Sequence, residues 1–334
     1  MAFEKYYIVA NTREQFENES KQSNRPYNDH PSLESVNYVV QELRKCGFDA
    51  EFFGGVERLI EAYSNKHPFP NTLFLNLSDG LTQVSRKAQS AILLELLGCP
   101  YAGSDPLASL MAGNKAYSKR IVSEKLKVPE GRIVFDGTEI PQDIKFPVII
   151  KPNREGSSIG ITQESICTNI IELEQRTKKL LSAYGEVLVE EYIPGYEITC
   201  FIVGNKGNYY LVEPLLIKYD GIFYYEDFVF GLEEKANRKR KEYLAKTILP
   251  VQQIDQICSA AKTAFELLNM RDFARVDFRL RKDGQLYFIE INGNAVISKT
   301  SEVGVISHAL NIPFGSIVGD IIRSATDRLN ANHD

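Results

Sequence analysis

The sequence predicts a mixed protein of three lobes, α/β at its start and α+β beyond. Three observations carry the prediction. The chain has 334 residues, more than one hydrophobic core accommodates. Residues 6–53 read as strand, amphipathic helix, strand, the opening of a doubly wound unit. The remainder alternates short strand patterns and turn signals with a few long helices, as sheet-rich lobes do. Apolar residues make up 43% and charged residues 25%, the balance of a folded globular protein.

Taken in order, Tyr6–Ala10 is a short apolar strand, Leu33–Lys45 has apolar residues at helical spacing, and Ala50–Phe53 is the second strand. The continuous apolar run Thr72–Leu77 is a further buried strand, and Ser85–Leu97 is a helix stopped by Gly98 and Pro100. That closes a first lobe over residues 1–105. A second lobe, 106–186, holds a helix at Asn114–Leu126, strands at Phe146–Lys151 and Gly160–Thr162 around the loop Pro152–Ser158, and a helix at Cys167–Tyr184. The third, 187–334, opens with strands at Val187–Glu191, Glu197–Val203 and Tyr209–Glu213, with turns at Pro194-Gly195 and Asn205-Lys206-Gly207. It continues through a helix at Val251–Leu268 and a strand pair, Phe273–Leu280 and Leu286–Asn292, joined by Lys282-Asp283-Gly284, and ends in helices.

Several classes are disfavoured. The net charge of −5 provides no basic excess for a nucleic-acid partner. No apolar stretch reads as a membrane span, and the N-terminal segment lacks a secretory cleavage site, so a cytoplasmic protein is expected. Cys46, Cys99, Cys167, Cys200 and Cys258 lie far apart without a CxxC pair and read as structural thiols. His30, His67, His308 and His333 show no ligand spacing, so zinc is not expected and any metal should have oxygen ligands.

Three elements carry chemistry. Arg275-Val276-Asp277 lies on one strand of the C-terminal hairpin and Glu290-Ile291-Asn292 on the other. Alternation puts Arg275 with Asp277, and Glu290 with Asn292, on one face each. If the short turn pairs the strands, two carboxylates and an amide oxygen meet beside a guanidinium, an oxygen site suited to magnesium; a solvated face of ion pairs is the alternative. Residues 151–161, from Lys151 to Ile161, follow an apolar strand; Gly156 and Gly160 permit a close backbone turn, while Ser157 and Ser158 offer donors to phosphate oxygens. A plain surface hairpin is the alternative. Residues 187–198 end an apolar strand in acidic residues, an edge able to read an adenine and a ribose, or an edge strand with solvated charges.

In this order, with Lys115 upstream in Ala112–Lys119 and with Leu93–Ser104 before them, these elements resemble the ATP-grasp superfamily, and within it the D-alanine–D-alanine ligase group. The resemblance implies a three-lobed ATP-grasp fold with nucleotide between the central and C-terminal lobes. It also implies an ATP-dependent ligase that joins a carboxylate to an amine through an acyl phosphate. Lys115, Lys151 and Ser158 become ATP-binding, Glu190, Glu191, Tyr192 and Ile193 the adenine-facing edge, and Glu197 the ribose contact. Asp277, Glu290 and Asn292 match ligands of one or two magnesium ions, with manganese as a substitute. Arg275 matches the arginine at the tetrahedral oxygen, Ser157 a loop serine near the reacting groups, and Ser301 a contact to the acceptor's carboxylate. Small-molecule carboxylate and amine substrates, amino acids among them, are implied, as is a homodimer through the first lobe.

The chain departs from that group in three places. Ala10–Gln15 lacks the glycine pair and glutamate that hold the first amino acid's amine; Phe228 and Val229 stand where the group has lysine and tyrosine; and Asn292–Ser298 lacks a Pro-Gly turn. The basic run Lys235–Lys241 reads as a solvated loop or as a replacement for the lost lysine. The expectation is a substrate other than D-alanine plus D-alanine. A thiol, hydroxyl or internal amine acceptor, a D-alanine–D-alanine ligase proper, an enzyme that stops at a phosphorylated product, and a non-catalytic ATP-binding protein are the competing readings.

Overall fold

Strands and helices alternate at the start of the chain, and they wind into one parallel sheet. In the computed structural model, which describes residues 3–17, 27, 29–81, 84–136, 140, 144–237 and 239–331, these elements are β1 (Lys5–Val9), α1 (Leu33–Lys45), β2 (Ala50–Gly54), α2 (Val56–Ser64), β3 (Thr72–Asn76), α3 (Gln89–Leu96) and β4 (Tyr101–Ala102). The strand order is β2-β1-β3-β4, all parallel. Every residue of β3 is buried, as a continuous apolar run in a parallel sheet requires. Ser32 caps α1 by accepting from the Ser35 N–H, and Val36, Val39, Val40 and Leu43 turn its apolar stripe inward.

The second part contains α4 (Pro106–Ala112), α5 (Lys115–Val122), β5 (Gly131–Phe135), β6 (Val148–Pro152), β7 (Ile166–Cys167), α6 (Ile170–Tyr184) and β8 (Glu186–Glu191). Its antiparallel sheet runs β5-β8-β6-β7 and, with α6, encloses its own core of Val134, Val148, Ile150, Leu173, Leu180, Val187 and Val189. Two expectations are corrected here. Gly160–Thr162 is not a strand: Ser157, Ser158 and Gly160 have φ of 51°, 61° and 76°, a left-handed run that no strand accommodates, and the edge partner of β6 is Ile166–Cys167. Glu186–Glu191 does not open the third lobe. It inserts between β5 and β6, where its alternate valines enter the second core, so the boundary between the sheets falls after Glu191 and not at 186. The helices α4 and α5 bury Ala108, Ala112 and Val122 against the third sheet.

The third part comprises β9 (Gly195–Asn205), β10 (Asn208–Tyr219), β11 (Tyr224–Tyr225), α7 (Leu232–Ala236), β12 (Arg240–Leu244), α8 (Val251–Leu267), β13 (Phe273–Leu280), β14 (Leu286–Asn292), α9 (Glu302–Leu310) and α10 (Phe314–Ala331). Its sheet runs β12-β10-β9-β13-β14, with β11 also on β9. Alternation along β9 divides it between two cores. Ile198, Cys200 and Ile202 pack with α8 residues such as Phe265, whereas Phe201 and Val203 join a core that includes Ile8 and Leu75 of the first sheet and Ile321 of α10. The approach of α10 to α1 is close: a Cβ on Gly315 would lie 2.2 Å from the Glu42 carbonyl oxygen. The basic run 235–241 is no simple solvated loop. It ends α7 and begins β12, with Arg238 outside the described residues. Among the described residues no single helix is long and apolar enough to cross a membrane.

Candidate active site

The hairpin β13–β14 pairs Arg275 with Asn292 and Asp277 with Glu290, so the four side chains share one face of the sheet. The Arg275 guanidinium forks onto Asp277, Nε to Oδ1 at 3.0 Å and the second terminal nitrogen to Oδ2 at 2.8 Å, and lies 4.0 Å from Glu290. Its other terminal nitrogen donates to Glu302 at 3.3 Å. Thr199, opposite Asp277 on β9, donates its hydroxyl to Oδ1 at 2.8 Å. This bidentate grip fixes the plane of the arginine.

Lys115, the first residue of α5, reaches the same place. Asn114 caps the helix by accepting from the Tyr117 N–H, and Asn153 accepts from the Ala116 N–H at 3.0 Å, tying the helix start to the glycine–serine loop. The Lys115 ammonium donates to the Glu155 carbonyl and lies 3.3 Å from Glu290. Burial works against ionisation of Glu290, but Lys115, Lys151, Lys235 and Arg275 together hold its carboxyl below the usual carboxylate range. Asp277, Glu290 and Asn292 are hard oxygen donors on one face, and the Asn292 amide nitrogen is buried without a hydrogen-bond partner, so the fold does not consume this amide. That donor set fits magnesium or manganese.

Two cavities meet at this hairpin. A narrow slot is lined by Lys115, Lys151, Ser158, Glu190–Ile193, Glu197, Arg279 and Glu290. A cleft of about 990 Å³ on the other side is lined by Ser157, Arg275, Asp277, Ser301, Glu302 and the first-lobe residues Arg13, Glu14, Asn37 and Gln41, among others. The left-handed turn thus sends Ser157 to the cleft and Ser158 to the slot.

Two buried clusters pair most of the slot's charges before any ligand arrives. Glu190, buried, accepts from Lys151 at 2.6 Å and from Lys119 with its other oxygen. Its carboxylate therefore positions Lys151 and is not itself presented to the slot. Burial pulls Lys119 down to about 7 against the attraction of Glu190. Glu197 pairs with Arg279 at 2.5 Å, and the guanidinium lies 5.8 Å from the Tyr192 ring centroid. The Tyr192 hydroxyl accepts from the Phe228 N–H and donates to its carbonyl, both at 2.9 Å. Val229 lines the slot, while Phe228 joins an aromatic cluster with Tyr219, Tyr225 and Phe230.

Ser301 stands at the N-cap position of α9 but makes no side-chain cap bond; its hydroxyl turns back to the preceding loop, donating to the Ser298 carbonyl and accepting from the Ser298 N–H, both at 2.9 Å. It faces the cleft with its proton already committed. Two features escaped the sequence reading. Lys235 of α7 lines both cavities, and its ammonium has no hydrogen bond or ion pair among the described residues; burial and the Arg275 charge lower its pKa. Only the basic run 235–241 signalled it. Glu242, on β12, pairs with Arg240 at 2.5 Å, and burial together with Glu302 pushes its carboxyl up to about 7. No local motif marks that pair.

Residues 134–323 match the family described as the D-ala D-ala ligase C-terminus. A D-alanine–D-alanine ligase of Cupriavidus metallidurans is 30% identical over 314 residues, spanning 90% of this chain and 89% of its own. Among solved structures, the D-alanine–D-alanine ligase of Bacillus anthracis complexed with ATP superposes with a TM-score of 0.74 at 21% identity over the full length of both chains. The VanG D-Ala:D-Ser ligase of Enterococcus faecalis gives 0.72 at 20% identity, over 97% of this chain and 99% of its own. With the family match covering more than half the chain and the relative spanning nine-tenths of it, the chain belongs to the D-alanine–D-alanine ligase family, and is an ATP-dependent carbon–nitrogen ligase of three-lobed ATP-grasp fold.

Proposed function

We propose that the protein condenses a carboxylate with an amine on a substrate pair other than two D-alanines, with ATP bound in the slot and both substrates in the cleft. The observation that carries this reading is the junction at Arg275: phosphate-seeking lysines on one side, a roomy cleft on the other, and a guanidinium held rigidly between them. In the reaction the donor's carboxylate oxygen attacks the terminal phosphorus of ATP and ADP leaves. The amine nitrogen then attacks the acyl phosphate carbon, the carbon–oxygen bond to phosphate breaks, phosphate departs with the electron pair, and the nitrogen loses its proton.

Lys115, Lys151 and Lys235 surround the phosphates, Ser158 supplies a hydroxyl to them, and Glu191–Ile193 with Glu197 border the base and ribose. Arg275 stabilises the charge that develops on the former carbonyl oxygen, worth about 3–4 kcal/mol for one such donor. Ser157, in the turn above the cleft, screens the acyl phosphate from water. Ser301 contacts the acceptor if its bond to the Ser298 carbonyl is exchanged for one to substrate. Asp277, Glu290 and Asn292 would hold magnesium, which when bound neutralises the triphosphate's negative charge.

The substrate is proposed to differ because the wall that would hold a donor's amine is rebuilt: Arg13 and Glu14 face the cleft from the first lobe, and the lysine that enters it comes from α7. An array of amino acids and amines, read by phosphate release and then by product mass, tests the proposal. Robust ADP release with D-alanine as the only substrate would overturn it.

A further inference from the structure

We infer that the amine acceptor is a peptide, entering by its N-terminal amine, and not a free amino acid; this rests on the ligase reading above. The first argument is room. Two alanine-sized substrates and one terminal phosphate amount to about 17 non-hydrogen atoms; at ~30 Å³ each, the share of a water molecule in the liquid, they leave about half of the 990 Å³ cleft empty.

The second argument is where the spare room lies. Beside Ser301 the cleft is lined by Thr300 and Lys299, and from the first lobe by α1, whose lining residues include the stripe Glu34, Asn37 and Gln41, spaced three and four residues apart. The helix buries Val36, Val39, Val40 and Leu43 on its other side, so the stripe is a fixed surface. Its Asn37 and Gln41 amides make no side-chain hydrogen bond among the described residues, and each offers both a donor and an acceptor.

That wall matches the chemistry of a peptide backbone, which also alternates N–H and C=O. An amino acid acceptor would turn its carboxylate toward Ser301. In a peptide acceptor the first carbonyl takes that place, and the following residues run outward between Thr300 and Lys299 on one side and Asn37 and Gln41 on the other. The amine still reaches Arg275, and the bond changes of the reaction are unaltered: the peptide's nitrogen gains the acyl carbon, and phosphate leaves.

The test uses the full chain with ATP and magnesium, each amino acid in turn as donor, and alanine, dialanine or trialanine of either configuration as acceptor. Phosphate release and product mass are the readouts. With the best donor, kcat/KM should rise at least tenfold from alanine to trialanine. A flat or falling series, with robust release from a single amino acid, overturns the peptide inference and leaves the ligase standing. No phosphate from any pair removes both. In a folded N37A/Q41A double variant the trialanine-to-alanine ratio of kcat/KM should fall about tenfold; an unchanged ratio also overturns the inference.

Discussion

The slot and the cleft share Glu197, Phe230, Lys235 and Asp277 in their linings, with Glu290 on the slot side and Arg275 on the cleft side, yet they are built in opposite ways. In the slot most charges are satisfied within the protein, Lys235 excepted: Glu190 serves two lysines and Glu197 holds Arg279. In the cleft, polar groups of α1 face open space, and the first lobe supplies about a third of the lining residues. A site for an invariant ligand is rigid and internally neutral, because unpaired buried charge destabilises the fold. A site that varies among relatives keeps its recognition groups on exposed surface, where exchanging them leaves the core undisturbed. With ATP in the slot and the substrates in the cleft, as proposed, the difference teaches that the energy source and the substrate are recognised by structures with separate constraints.

The comparison can be broken most severely at the junction. Glu290→Gln should lower kcat by about 10³-fold or more, in line with the loss of a buried electrostatic group at a reacting centre, while thermal unfolding shows the variant folded; near-normal turnover would remove Glu290 from the chemistry. Within the slot, Glu190→Gln strands Lys119 and Lys151 and should cost about 3–5 kcal/mol of stability, measured by urea unfolding. An equally stable variant would mean that the lysines are solvated and the slot is not internally neutral.

The cleft side is sharpened by pH. Folded Glu242 keeps its proton up to about 7, whereas the unfolded chain releases it near the ordinary 4.5. Between these values the native state binds more protons, so stability falls as pH rises, by at most about 3 kcal/mol. Glu242→Gln mimics the protonated form and should remove that decline, as unfolding midpoints at pH 5 and pH 8 will show. The smallest effect is expected at Lys235, whose charge faces Arg275 without a partner. Lys235→Met should cut kcat/KM for ATP about tenfold and leave unfolding midpoints unchanged or slightly higher; a destabilised variant with normal ATP kinetics would assign it a structural role instead.

The hairpin was readable because its information is local. Two strands of period two, with a short Asp283-Gly284 turn between them, place Arg275 and Asp277 opposite Asn292 and Glu290 without knowledge of the rest of the chain. Leu33–Lys45 was readable for the same reason, through its apolar spacing. What failed was non-local or masked by composition. Nothing within Glu186–Glu191 says that its neighbours are β5 and β6 and not β9, because sheet partners are chosen across the sequence. Gly160–Thr162 reads as a strand from its apolar neighbours, although Gly160 takes left-handed backbone, as do the two loop serines just before it. Lys235 and Arg240 were hidden in a run of positive charge that usually denotes solvent, yet a five-residue helix and an edge strand turn them inward. The resemblance put Glu190 on the adenine-facing edge, and it lines the slot; that its carboxylate also holds Lys119, 71 residues away in sequence, was not legible.

The shared core behind α10 bears on how such an enzyme opens. Because the last long helix packs on α1 and on the third sheet at once, the outer two-thirds of the molecule form a single frame, and the middle sheet, with a separate interior, is the jaw. A swing of the glycine–serine turn with that jaw would therefore leave the α1 wall at a fixed distance from Arg275, since both stand on the frame.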